Sequence, residues 1–62
     1  MSHTANHYLL CIKDSEEAIQ RLNKQLGRMA RNQAGRKYLH ERIAFETAAI
    51  KIFNRDLAEV TA

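Results

Sequence analysis

His3, His7 and Cys11 follow one another at steps of four and four. On a continuous helix that spacing sets all three on one face. Two imidazoles at i and i+4 are a known zinc or copper pair, and a thiolate would add a third ligand. A closed structural site wants four ligands, and no nearby carboxylate supplies the fourth. His3 also falls at a chain end that is expected to fray. Cys11 reads equally well as a small buried hydrophobe. No metal site and no cofactor are expected.

Nucleophilic catalysis would need Cys11 or a serine next to a base, with a third group to orient that base. His40 is the remaining histidine, and it is far along the chain from Cys11. A small helical bundle also offers little room for a concave pocket. No catalytic residues are assigned, and the chain is read as non-enzymatic. His40 is expected at the surface.

The most informative polar feature is basic. Between positions 21 and 42 lie Arg21, Lys24, Arg28, Arg31, Arg36, Lys37 and Arg42, against Glu41 alone. The rest of the chain holds Lys13, Lys51 and Arg55 against Asp14, Glu16, Glu17, Glu46, Asp56 and Glu59. The overall charge of +3 therefore hides a basic middle and acidic flanks. Lys24, Arg28 and Arg31 are spaced four and three and share a helix face. Arg36 and Lys37 follow the break between elements. Arginine forks suit phosphate and carboxylate, so these five residues are the candidate partner-binding set. The plainer reading is a solvated face, since cations also favour the last turn of a helix. No zinc-finger spacing and no basic zipper region is present, and only Tyr38 stands near enough to stack on a base.

The elements that hold these residues are helices. Proline is absent, and Gly27 and Gly35 are the two glycines. Most other residues are good helix formers. Ile12, Ile19, Leu22, Leu26 and Met29 recur at heptad-like steps, and the stripe extends back through Tyr8 to Ala5. Ser15 is polar within it. Asp14-Ser15-Glu16-Glu17 resembles a capping box, which would start a helix there and leave Tyr8–Ile12 separate. One helix over about 5–32 is the favoured reading. The break falls at 33–35, where Gly35 suits a left-handed residue after a helix end. Gly27 is expected to let another backbone approach. A second helix spans about 36–60, with Leu39, Ile43, Ile50, Phe53, Leu57 and Val60 on one stripe. Glu46 interrupts that stripe. It is expected to meet an arginine or lysine from the other helix, to fix the register of a dimer, or to reach water at the stripe's edge.

The second helix has a second stripe: Tyr38, Phe45, Ala49 and Ile52. One partner helix cannot cover both. The fold expected is an all-α, two-helix antiparallel hairpin in one domain over 1–62, self-associating into a dimeric four-helix bundle. Size argues the same way. A chain of 62 residues buries little surface by itself, and its lone cysteine allows no internal disulfide. The competing expectation is that Tyr8–Ile12 folds back over the second stripe.

These readings give two functional expectations. One is a dimeric helical interaction protein, an adaptor, regulator or inhibitor, that binds an acidic surface on a larger protein through its basic tip. The other is a regulator that binds RNA or DNA through the same tip. No run near 18 apolar residues occurs, so no membrane span is expected. The longest apolar run, Tyr8–Ile12, lacks the flanks of a signal peptide, and a lone thiol fits a reducing compartment. A cytoplasmic location is expected.

Overall fold

The computed structural model describes residues 2–31 and 33–61, with side chains from Thr4 onward. Two helices of equal length make up the fold, α1 over Ser2–Gly27 and α2 over Arg36–Thr61. They pack side by side as an all-α hairpin. It measures 47 Å by 14 Å by 10 Å between Cα atoms. No helix among the described residues is long and apolar enough to cross a membrane.

The heptad spacing explains which side of α1 is covered. Ala5, Tyr8, Ile12, Ile19, Leu22 and Leu26 are all partly buried, and Ser15 is buried outright. Because α1 runs unbroken through Asp14-Ser15-Glu16-Glu17, these residues cap nothing. The serine is a small seam residue that lets α2 come close. On α2 the covered row is Leu39, Ile43, Glu46, Ile50, Phe53 and Leu57. Among the described residues, Leu39 is the one apolar side chain with less than a tenth of its surface exposed, at 4%. Tyr8 meets Phe53 with ring centroids 6.3 Å apart, which fixes the open end of the hairpin.

The connection corrects the expected boundaries. Helix α1 ends at Gly27 rather than near position 32, so the connection begins at 28 rather than 33. The reason is a change of hydrogen-bond partner. Arg28 N–H donates to Gln25 O and Met29 N–H to Leu26 O, both at 3.1 Å. These are i→i−3 bonds, which tighten and end a helix. Ala30 and Gln33 then close a reciprocal turn: the Gln33 side-chain oxygen accepts from Ala30 N–H at 3.2 Å, and Gln33 N–H donates to Ala30 O at 3.0 Å.

Both glycine expectations are corrected too. Neither glycine has a positive φ. Gly35 ends no helix; its carbonyl accepts from Leu39 N–H at 3.1 Å, so it stands at the start of α2. A Cβ there would lie 2.8 Å from the Met29 methyl, so what Gly35 admits is a side chain. At Gly27 a Cβ would meet nothing within 4 Å, and no backbone approaches it. The substitution Gly27→Ala is therefore expected to stabilise the hairpin by about 0.4–1 kcal/mol, because it restricts the unfolded chain without strain in the folded one. Chemical denaturation of the two proteins checks this; a lower midpoint for the variant would contradict it.

Candidate functional site

Two surfaces carry the exposed side chains that the covered seam leaves unexplained. The first is apolar and lies on α2. Tyr38 is 62% exposed, Phe45 63% and Ile52 50%. They succeed one another at steps of seven, so they form one straight row. Ala49 sits half-buried beside them, nearer the seam. The N-terminal segment does not fold over this row. Tyr8 turns into the seam against Phe53, while Leu9 and Leu10 stay 52% and 61% exposed.

Phe45, at the middle of the row, sits beside a short polar relay. Arg42 donates to Glu46 at 2.9 Å, one turn along the same helix. Its guanidinium carbon also lies 5.4 Å from the centre of the Phe45 ring. Glu46 therefore finds its partner within α2 rather than across the seam, and its side chain keeps 13% of its surface exposed. The Arg42–Glu46 spacing of four is a helix-pair signal readable in the sequence. The Arg42–Phe45 contact fixes the ring's outward pose.

The second surface is the turn. Lys24, Arg28, Arg31 and Lys37 are all exposed. Lys24 lies in the last turn of α1, where the helix dipole favours a cation. Lys37 lies in the first turn of α2, which holds no acidic residue. A cation there opposes the dipole of its own helix. Arg31 lies past the end of α1, outside the last-turn position that the spacing suggested.

Arg36 behaves differently from its neighbours. It is half-buried, and its guanidinium donates to Leu26 O at 3.2 Å and Met29 O at 3.3 Å. Leu26 is in the last turn of α1, and its carbonyl also accepts the i→i−3 bond from Met29 N–H at 3.1 Å. Arg36 thus stands at the unfavourable end of its own helix and the favourable end of its neighbour. It joins the two helix ends across the turn. Sequence spacing could not show this, because the role depends on where α1 stops. Changing Arg36 to methionine is expected to cost about 1–3 kcal/mol, through the two carbonyls left without that donor. Lys37→Met serves as the control, with an expected change within about 0.5 kcal/mol. Equal midpoints for the two variants in urea would contradict the capping role.

The remaining chemistry-bearing residues are scattered. His7 and Cys11 approach one another, with Nε2 3.7 Å from Sγ. His7 is exposed and Cys11 half-buried. His3, the third member of that spacing, lies outside the residues whose side chains are described. His40 is exposed on α2, on the edge opposite Arg42 and Ala49.

No family model matches the chain, and no curated protein or solved structure gives a match.

Proposed function

We propose that this protein is a small non-enzymatic interaction module that pairs with a second copy through the Tyr38, Phe45 and Ile52 row. Its turn then docks onto an acidic surface of a larger protein through Lys24, Arg28, Arg31 and Lys37. The observation that carries this reading is the separation of the two surfaces. Three large apolar side chains stand half or more exposed along α2, and four exposed cations gather at or beside the turn. A row of that kind is a self-association or aggregation surface when nothing covers it. Lys37 supports the second part of the reading. It keeps a cation where the helix dipole opposes one, and a binding role accounts for a residue that works against stability.

Arg36 is left out of the binding set, since its Nη1 already donates to Leu26 O and Met29 O. The test therefore changes Lys24, Arg28, Arg31 and Lys37 to glutamine and leaves Arg36 intact. Binding is measured to an acidic peptide, to duplex DNA and to single-stranded RNA, at low and moderate salt. The reading expects the peptide to bind and the fourfold variant to lose that binding while keeping its helicity. Tighter binding to nucleic acid than to the peptide, with a steep salt slope, would replace the protein partner with a phosphate backbone. The exposed Tyr38 ring next to Lys37 is the feature that favours this second outcome. Peptide binding that is unchanged in the variant would overturn the role of the turn.

A further inference from the structure

Resting on the self-pairing just proposed, we infer that the two copies meet head to tail, with a two-fold axis at Phe45 that sets Tyr38 of each against Ile52 of the other and Asp14 against Arg21 of the second copy.

Burial along each helix marks the sides that face one another. Along α1, Cys11 and Ala18 beside the seam are half-buried, while Leu9, Glu16 and Asn23 on its other flank are exposed. Along α2, Arg42, Ala49 and Asp56 are half-buried, while His40, Thr47 and Asn54 on the other flank are exposed. The half-buried flanks therefore face one another along one side of the hairpin. Next outward on that side come two rows at steps of seven. One is Tyr38, Phe45 and Ile52 on α2. The other is His7, Asp14 and Arg21 on α1, with Arg28 just past its end, all exposed. The side thus has an apolar edge and a charged edge, with Cys11, Ala18, Arg42, Ala49 and Asp56 between them. Its opposite carries His40, Thr47 and Asn54 on α2.

A second copy laid on this side has two closed arrangements. With both turns at the same end, α2 of one copy lies over α1 of the other. Apolar edges then meet charged edges, and Phe45 faces the Asp14–Arg21 stretch. The turns also stand side by side, each from a segment of seven cations and one anion over 21–42. With the turns at opposite ends, α2 lies on α2 and α1 on α1. Apolar meets apolar and charged meets charged.

Register then selects the pairs. Tyr8 stands level with Phe53, and Met29 level with Gly35. Phe45 is accordingly level with the Glu16–Ile19 turn of α1. The midpoint between Asp14 and Arg21 falls in that same turn. An axis through Phe45 therefore brings Asp14 opposite Arg21 of the second copy, twice. It also carries each turn to the acidic end of the other α2, which holds Asp56 and Glu59. The turns end up separated by most of the 47 Å length. That distance is several Debye lengths at about 0.1 M salt, where one length is about 10 Å. Repulsion between the turns is screened in this arrangement and not in the other.

The face has enough area only if it is used along its whole length. A stable interface takes about 800 Å² from each partner. A slab 47 Å by 14 Å between Cα atoms reaches that order only when both helices of each copy take part. The result is a four-helix assembly.

The test is cross-linking of the full chain with Cys11 replaced by alanine. Tyr38→Cys and Ile52→Cys are made separately, mixed, and treated with a short bis-maleimide. The head-to-tail pair cross-links in the mixture and in neither variant alone. Within one helix the two positions are about 21 Å apart, beyond the reagent's span. Cross-links in a single variant, or none in a mixture that light scattering shows to be dimeric, would overturn the orientation. A mixture that is monomeric would instead overturn the self-pairing on which it rests. Charge reversal gives an independent reading. Asp14→Arg is expected to weaken the dimer about tenfold, and Asp14→Arg with Arg21→Asp to recover it. No recovery in the double variant would contradict the pairing.

Discussion

Replacing Phe45 with aspartate is expected to abolish self-association at concentrations where the unaltered protein is paired. In the single hairpin the ring is 63% exposed and its main contact is the Arg42 guanidinium. For a lone hairpin the change is close to neutral, as surface changes usually are. In the pair it places two carboxylates at the centre of an apolar seam, where central aromatic residues carry most of the binding energy. The dimer Kd should rise about 100-fold or more, at about 1.4 kcal/mol per tenfold and about 3 kcal/mol lost. Phe45→Ala should weaken the pair less, since it removes the anchor without burying a charge. Sedimentation equilibrium on the three proteins measures the order. A Kd for Phe45→Asp within threefold of the parent would remove this row from the interface.

Leu39→Ala is expected to have the largest effect on folding. Leu39 is the most enclosed apolar side chain among the described residues, at 4% exposure, and it packs just above the turn. Truncating a buried leucine typically costs about 2–5 kcal/mol through lost transfer energy and the cavity left behind. A chain of 62 residues has about 3–9 kcal/mol in all. The loss therefore removes a large part of the total. With a urea slope near 1 kcal/mol per molar, the midpoint should fall by about 2 M. The stoichiometry of the folded fraction should not change, because Leu39 faces the seam and not the outer row. A midpoint shift below about 0.5 M would mean that the turn end of the hairpin is not cooperative with the rest.

Much of the hairpin was legible because its covered faces follow simple spacing. Ala5, Tyr8, Ile12, Ile19, Leu22 and Leu26 are covered on α1, as heptad steps require. The row at Tyr38, Phe45 and Ile52 was legible as a second stripe, and these three side chains stand outside the seam, as do Leu9, Leu10 and Val60, the last of which spacing had put on the covered stripe. What spacing could not give was the turn. Helix ends depend on which carbonyls find donors. Arg28 and Met29 bond three residues back, and Arg36 reaches across to α1. None of those bonds has a signature in periodicity. The two glycines misled for a related reason: their left-handed preference is a capacity, and here neither uses it. The set at the turn was readable by charge. The different role of Arg36 was not, since Arg36 and Lys37 are adjacent and alike in sequence. Glu46 was readable as an anomaly in the stripe, and its partner Arg42 lay one turn away in plain view.

The central claim is that the hairpin needs a second copy to be stable. Its most direct test is molecular mass by light scattering, measured together with far-ultraviolet helicity, from millimolar to low micromolar protein. The account predicts twice the chain mass of 7.2 kDa at the upper end, with mass and helicity falling together on dilution. A single-chain mass with full helicity at every concentration would contradict it.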